Sequence, residues 1–434
     1  MSGPGLGVAG IVVMFFILFF LRVPAAFTMA LVGFLGIACV TSPEAAFAMI
    51  GSEMWTLFSN YGLTVIPLFI LVGEIVHYAG YNHGLYHATY RWFGHYRGGL
   101  AMTTIMACAA FSAISGSNTA TAATMSAVAI PEMKKYGYHP VLNSGAVAAG
   151  ATLGVLIPPS IVLVVYGLYT GQSIGKLFFG NVIPSAILTV LILGTVVLIC
   201  RRHPDWGPSG PRSSWEDRYN ALPEAVDILV LFAVIMYALF TGVVTATEAA
   251  AVSCFLALVI CLVRRKLTWP KFLDAMTDTL RISCLVFMIV AGAVIFSRFL
   301  TVTRLPFAAA EWIQTLALPK WMVLWVILLC YIVGGCVMDA LAFLLVSLPI
   351  FYPLVVQLGY DPIWFGQVIT IVTTMGSIMP PIGICCYVVA GMSDIPLGTV
   401  FRGGLYYVPS YIVSIVILMI SPYWTVLVLS ELVK

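Results

Sequence analysis

Two apolar stretches of this chain, residues 141–176 and 363–393, are each cut near the middle by two successive prolines, Pro158-Pro159 and Pro380-Pro381. A proline pair removes two backbone donors and clashes with the preceding turn, so a continuous helix cannot pass through it. Each stretch follows another apolar segment that is interrupted at its centre. In 99–135 the interruption is Ser115-Gly116-Ser117-Asn118, and in 321–358 it is Gly334-Gly335-Cys336-Val337-Met338-Asp339. Several halves fall short of the roughly 20 residues a helix needs to cross hydrocarbon. The pattern is a re-entrant helical hairpin followed by a broken helix, and it occurs twice.

The two units are copies. Gly137-Tyr138-His139-Pro140 recurs as Gly359-Tyr360-Asp361-Pro362 at an offset of 222, which also relates Pro131 to Pro353, Gly154 to Gly376 and the two proline pairs. Ile183-Pro184-Ser185 matches Val408-Pro409-Ser410 at an offset of 225, so a few residues are inserted in the second copy. The expected organisation is N-terminal scaffold helices in 1–54 and a first repeat in 55–200. A cytoplasmic loop and scaffold helix pair in 201–277 then lead to a second repeat in 278–434.

Broken backbone survives at membrane depth only where protein or a water-filled cavity satisfies it. Composition places the chain in a membrane: 61% of residues are hydrophobic, 9% are charged and the mean hydropathy is +1.05. A soluble domain carries roughly 25% charged residues. Further spans are expected near 6–21, 25–42, 55–79, 178–200, 224–241, 246–263, 278–300 and 405–430. The expected fold is an all-α polytopic membrane protein with about ten spans plus two re-entrant helical hairpins.

Lys and Arg collect on the cytoplasmic side of a membrane protein. Arg201, Arg202, Arg212 and Arg218 precede the helix pair 224–263, and Arg264, Arg265 and Lys266 follow it. Counting back, the first hairpin enters from the cytoplasm, flanked by Arg91, Arg97, Lys134 and Lys135, with Arg22 also inside. Counting forward, the second enters from the periplasm, and no Lys or Arg lies between Lys320 and Arg402. The copies are thus inverted, with both termini expected in the periplasm. The net charge of +3 sits in short clusters that set topology, not on a nucleic-acid face. The ten cysteines are scattered singly apart from Cys385-Cys386 and show no metal-ligand spacing. The first apolar run, Gly7 to Val23, lacks a basic leader, so no cleavable signal is expected.

Opposed hairpins with broken helices suit a carrier: half-helix N-termini point partial positive charge at an anion, and unwound carbonyls hold sodium. Gly154, Ile157 and Pro158 place free carbonyls at the first break, and Gly376, Met379 and Pro380 repeat them at the second. Asp339 stands in register with Ser117, as a cation ligand or counter-charge or as a helix cap. A carboxylate at that depth is costly unless paired or hydrated. Groups placed to touch a substrate are Ser117, Asn118, Thr119, Ser160 and Asp339, although small residues at the first tip also suit close helix packing. Glu74 lies inside an apolar run. Glu248 follows Thr245 by three, the spacing of a capping box. Arg281 and Arg298 bracket one span and can snorkel at its ends. There is no nucleophile elbow, Walker loop or His/Cys cluster, so neither an enzyme nor ATP as energy source is expected. A channel, or a carrier that works without a binding protein, stays open as an alternative.

The chain resembles the large membrane subunit of tripartite ATP-independent periplasmic (TRAP) transporters, within the ion-transporter superfamily of inverted-repeat elevator carriers. The resemblance rests on Ile66-Pro67-Leu68-Phe69-Ile70-Leu71-Val72-Gly73-Glu74, Ser115 to Ala123, Ile130 to Tyr138, Ala149 to Ser160, Thr247 to Val252 and Met338-Asp339. It implies sodium-coupled uptake of a small organic anion, of carboxylate or sulfonate type, across the bacterial inner membrane. It also implies a small four-helix membrane subunit and a periplasmic substrate-binding protein. Nothing four-helical precedes Gly7, so the small subunit is expected as a separate chain. The family's sodium contacts carry over to Ser115, Ser117, Gly154, Ile157 and Pro158 in one half. In the other they fall on Gly335, Asp339, Gly376, Met379 and Pro380. Val244-Thr245-Ala246-Thr247-Glu248 lacks the proline the family usually has two residues before the glutamate. The expected moving unit is 55–200 with 278–430, against a scaffold of 224–263 and the N-terminal spans.

Overall fold

A computed structural model describes residues 3–21, 23–315 and 319–433, and every regular element in them is helical. Arg22, one of the topology markers, lies outside the described residues. The first half runs through α1 (Gly3–Phe16), α2 (Ala25–Val40), α3 (Pro43–Phe58), α4 (Val65–Tyr78) and α5 (Tyr81–Phe93). The first hairpin is α6 (Gly99–Ser115) and α7 (Asn118–Lys135), followed by α8 (Pro140–Ala151), α9 (Ile161–Thr170), α10 (Ile174–Gly180) and α11 (Val182–Arg202). A connector, α12 (Trp215–Ala221), leads to α13 (Pro223–Phe240), α14 (Ala246–Val263), α15 (Trp269–Val302) and α16 (Leu305–Thr315). The second hairpin is α17 (Lys320–Val337) and α18 (Ala340–Gln357). After it come α19 (Pro362–Gly376), α20 (Ile384–Gly391), α21 (Leu397–Leu405), α22 (Val408–Ile420) and α23 (Val428–Glu431).

Among the described residues, eight helical segments are long and apolar enough to cross a membrane, α17 and α18 among them. The second hairpin's arms, 18 residues each, are thus long and apolar enough to span. Two expected spans also end differently. The run 55–79 is split at Asn60, whose Oδ1 accepts the Gly62 N–H at 2.8 Å, so the span begins at Tyr61. The run 405–430 stops at Ile420, two residues before Pro422.

The duplication is visible in backbone detail. α7 and α18 lie 222 residues apart at both ends. Ser117 and Asp339 cap them, His139 and Asp361 cap α8 and α19, and Gly137 and Gly359 turn left-handed at φ 74° and 82°. Both proline pairs are joined by cis bonds. The register also reaches back beyond the sequence boundaries: α14 lies 222 residues from α2 to within one residue at each end. α13 and α16 sit within two residues of the positions that α1 and α5 imply. The two copies therefore run over 3–202 and 223–431, and the helix pair 223–263 is the second copy's counterpart of the first two helices.

Two groups of helices pack closely within themselves, and they meet where α15 touches α18 and α4 touches α6. α2 packs on α15, and α4 packs on both α14 and α15. Polar ties hold this scaffold: Tyr78 donates to Asp278 at 2.6 Å, Arg298 pairs with Glu53 at 2.6 Å, and Arg264 grips Asp227 at 2.8 and 3.0 Å. Helices α4 and α15, expected in the moving unit, pack on α14 and α2 of the expected scaffold as well as on α6 and α18. The other body contains α6–α11 and α17–α23, with α8 on α21 and α10 on α19. Related positions clasp it at its two ends. Gln172 Nε2 reaches the Tyr352 hydroxyl at 3.3 Å, and Asp394, 222 residues on from Gln172, pairs with Lys134 at 3.2 Å.

The α8–α21 contact supplies a stability test. A Cβ at Gly145 would lie 2.6–2.8 Å from the Gly403 backbone, whereas one at Gly194 would meet nothing within 4 Å. Overpacking of this kind costs about 1–3 kcal/mol. Gly145→Leu should lower the thermal midpoint in detergent, and Gly194→Leu should hold or raise it, since leucine favours helix over glycine. Equal midpoints would mean that the two helices do not meet this closely.

Candidate functional site

The first hairpin turns where Gly116 adopts φ 58°, a left-handed conformation that glycine takes at little cost. Ser117 then opens α7: its hydroxyl accepts the Ala120 N–H at 3.4 Å and lies 3.2 Å from the Thr119 hydroxyl. Thr121, four residues on, donates to the Ser117 carbonyl at 2.8 Å and sits 2.9 Å from Ser115 Oγ. Beyond the hairpin, α8 tightens into a 3-10 turn over Thr152–Val155, and Ser160 restarts the helix by accepting the Leu163 N–H at 3.4 Å.

Tip and break are docked. Asn118 Oδ1 accepts the Val155 N–H at 3.1 Å. A Cβ at Gly154 would strike the Ser117 carbonyl and come within 2.9 Å of Thr121 Oγ1, and one at Gly116 would lie 3.0 Å from the Pro159 carbonyl. The structure therefore brings Ser115, Ser117, Thr119 and Gly154 into one place beside the Ile157-Pro158 segment. Asn181, at the head of α11, donates to the Leu156 carbonyl.

The second junction repeats this with other chemistry. α17 ends at Val337, Met338 is extended at φ −122° and ψ 159°, and Asp339 caps α18 with Oδ2 accepting the Leu341 N–H at 3.1 Å. Ile382 and Gly383, past the second proline pair, donate to the Cys336 carbonyl at 3.1 and 3.0 Å. A Cβ at Gly376 would lie 2.6 Å from the Cys336 nitrogen, and one at Gly335 would strike the Thr373 carbonyl. Gly335, Asp339, Gly376, Met379 and Pro380 thus belong to one tip–break unit.

Several oxygens remain open. Among the described residues no donor reaches the carbonyls of Gly154, Ile157, Pro158, Gly335, Met379 or Pro380, while that of Gly376 accepts the Met379 N–H at 2.9 Å. Carbonyls left over by a helix break are the oxygens that suit a small hard cation. The junctions also differ in exposure: Pro158 and Pro159 are buried, whereas Pro380 and Pro381 are exposed.

The residues read as substrate contacts have structural work as well. Asn118 Oδ1 bolts the tip to the break, leaving its amide nitrogen without a protein acceptor among the described residues. Ser160 is fully buried and spent as a cap, so it is poorly placed to meet a substrate. Asp339 has no Lys or Arg partner among the described residues, and backbone N–H groups hold its carboxylate. Glu248 closes the capping box with Thr245, its Oε2 accepting the Thr245 N–H at 2.7 Å. Arg298 pairs with Glu53, and Arg281 lies 3.5 Å from Asp278. Glu74 makes no hydrogen bond or ion pair among the described residues, but its neighbour Gly73 touches the first tip, where a Cβ would lie 3.1 Å from the Ile114 carbonyl. Thr121, Asn181 and Tyr411 were not singled out from the sequence. Thr121 ends the hydroxyl-rich run that starts at Ser115, Asn181 is a single amide between Gly180 and Val182, and Tyr411 bonds Thr152 and, at 3.3 Å, the Ala149 carbonyl.

Residues 12–424 match the family model described as "Tripartite ATP-independent periplasmic transporter, DctM component". The chain is 33% identical over 375 residues to the C4-dicarboxylate TRAP transporter large permease protein DctM of Pseudomonas aeruginosa, covering 86% of each. It is 30% identical over 411 residues to the sialic acid TRAP transporter large permease protein SiaM of Vibrio cholerae, covering 94% of this chain and 95% of that one. The isethionate TRAP transporter permease protein DctMQ of Oleidesulfovibrio alaskensis is 31% identical over 365 residues, covering 83% of this chain and 57% of that one. Among solved structures, the YdaH transporter of Alcanivorax borkumensis superposes with a TM-score of 0.64 at 14% identity, covering 88% and 89% of the two chains. MtrF of Neisseria gonorrhoeae superposes with a TM-score of 0.59 at 16% identity, covering 87% and 84%. These two likenesses show the fold alone.

Docking of the tips gives a direct test. Gly154→Ala and Gly376→Ala put a methyl group into the closest backbone approach of each junction. Amide hydrogen exchange should rise about tenfold, the equivalent of roughly 1.4 kcal/mol, in the tip and break of the altered junction and not in the other. Gly391→Ala, where a Cβ meets nothing within 4 Å, is the control. Unchanged exchange in the first two variants would show that tip and break are not held together.

Proposed function

The chain belongs to the family of the DctM component of tripartite ATP-independent periplasmic transporters, and we propose that it carries a small organic anion into the cell on a sodium gradient. It is an inner-membrane transport protein and not an enzyme. The observation that carries the sodium reading is the pair of tip–break junctions, each with unpartnered carbonyls beside a hairpin tip. The first offers neutral oxygens from Ser115, Ser117, Gly154, Ile157 and Pro158. The second offers Gly335, Gly376, Met379 and Pro380 with the carboxylate of Asp339. A monovalent cation at each junction also offsets the negative charge of an anion bound between the tips. The N-termini of α7 and α18, where peptide dipoles present their positive ends, complete the attraction.

The substrate class follows from charge and from the relatives. Those named above handle a C4-dicarboxylate, sialic acid or isethionate, all acids of carboxylate or sulfonate type. Thr119, Ser117 and the free amide nitrogen of Asn118 are the donors placed to choose among them. A periplasmic binding protein delivers the anion, and a small four-helix subunit accompanies this chain in the membrane.

The motion is an elevator in which the body of α6–α11 and α17–α23 slides against the scaffold of α1–α4 and α13–α15. The buried first proline pair and exposed second proline pair support alternating access, because related sites in an inverted repeat exchange environments when the carrier turns over. Gly73, against Ile114 and Ser115, lies on the sliding surface.

Reconstitution in proteoliposomes is decisive for this reading. Uptake should require sodium, the small subunit and the binding protein together. Full-rate uptake by this chain alone without sodium would favour a facilitator or channel, and sodium-driven uptake by this chain alone would favour a carrier without a binding protein. Asp339→Asn separates the two roles of the carboxylate. The amide keeps a cap oxygen but loses the charge. The half-saturating sodium concentration should rise about tenfold, the equivalent of roughly 1.4 kcal/mol, at normal protein levels. An unchanged sodium titration would leave Asp339 with the cap alone.

A further inference from the structure

We propose that the crevice between α1 and the second hairpin is a binding site for one acyl chain of a membrane phospholipid. The crevice holds about 640 Å³. Ile11 and Phe15 of α1, with Phe19 just beyond, form one wall, and Val333 and Val337 of α17 and Phe343 of α18 form the other. Both walls lie in segments long and apolar enough to span the membrane, Gly3–Leu21, Lys320–Val337 and Ala340–Gln357.

Water has no foothold there. The hydroxyl in the lining is that of Ser347, already bonded to Tyr331 at 2.8 Å and to the Leu344 carbonyl at 3.0 Å. A resident water needs two to four polar partners, and cavities without them stay dry. An empty crevice would forfeit the dispersion contacts of its whole lining. The rim is continuous with the apolar outer surface, where Phe16, Phe20, Val326 and Leu329 are exposed, so the neighbouring fluid is hydrocarbon. The protein does not close the gap itself, since Gly7 and Met14 are the buried residues of α1. A helix of another subunit does not fit. With side chains about 10 Å across, it fills roughly 420 Å³ per 5.4 Å turn, so the crevice admits about a turn and a half.

The position gives the chain a role. α1 packs with the scaffold, through α2 and α15, and the hairpin belongs to the other body. The crevice reaches Met338, beside Asp339 at the second tip. A fluid chain there seals that tip from the bilayer side and lets the two walls part without opening a void.

Native mass spectrometry of the detergent-extracted protein tests this. The wild type should retain one phospholipid that Val333→Trp and Ile11→Trp, which fill the crevice from either wall, both lose. Phe20→Trp, on the outer surface, should keep it. No retained lipid in the wild type, or the same lipid count in the filled variants, overturns the proposal. A spin label on the crevice residue Cys330, with Cys39, Cys254 and Cys284 replaced, gives a readout without filling. Relaxation by oxygen but not by an aqueous nickel chelate is expected, with or without the small subunit. Access by the chelate, or loss of oxygen access when the small subunit is added, would also overturn it.

Discussion

Two prolines in succession, placed where a helix would otherwise cross hydrocarbon, free backbone groups that no lipid can satisfy. The rest of the structure answers that constraint. Each break is covered by the tip of the hairpin that precedes it, and the docking is made of backbone and short polar groups. Asn118 holds the Val155 N–H on one side, and the Cys336 carbonyl receives two N–H groups on the other. Glycine stands at the closest approaches because nothing larger lets tip and break meet. The N–H groups are largely matched, and the surplus is carbonyl oxygen. A membrane interior that ends with unmatched acceptors attracts a cation.

The same arrangement divides the molecule mechanically. Hairpins and broken helices are tied to one another across the copies, through α8 with α21, α10 with α19, and the clasps at Lys134–Asp394 and Gln172–Tyr352. The scaffold is tied by its own set, Tyr78–Asp278, Glu53–Arg298 and Asp227–Arg264. Between the bodies the first tip's backbone lies against Gly73, and side chains bridge elsewhere, Tyr169 to Ser297 at 2.8 Å and Thr124 to His77 at 3.5 Å. In the proposed motion these bridges break and re-form while both junctions stay whole.

Much of this was legible in the sequence because proline and glycine act locally. The proline pairs, the hairpin tips and the 222-residue register depend on backbone rules that hold in any context, and the capping residues fall where they predict. Boundaries set by packing were not legible. Apolar composition says that α4 and α15 cross the membrane but not which neighbours they choose, and the contacts set them between the two groups, on α2 and α14 and also on α18 and α6. The counterpart relation of α1 and α2 to α13 and α14 was hidden too, since lipid-facing helices preserve hydrophobicity and length without preserving letters. At the site, Asn118 and Ser160 read as ligands from their chemistry, yet the fold uses their oxygens to hold backbone. A polar residue at a break is needed by the chain before it is available to a substrate.

Distance measurement between spin labels tests the central claim, that the two docked junctions form one body that moves against the scaffold. One label at Val252 on α14 and one at Tyr406 beyond α21 span the two bodies, and labels at Tyr136 and Tyr406 lie within one; all three positions are exposed. The carrier is reconstituted with the small subunit and compared without sodium, then with sodium, binding protein and substrate. The account predicts that the Val252–Tyr406 distribution shifts or splits between these conditions while Tyr136–Tyr406 stays fixed. A Val252–Tyr406 distance that never changes, or a Tyr136–Tyr406 distance that changes with it, would contradict a rigid body moving against a static scaffold.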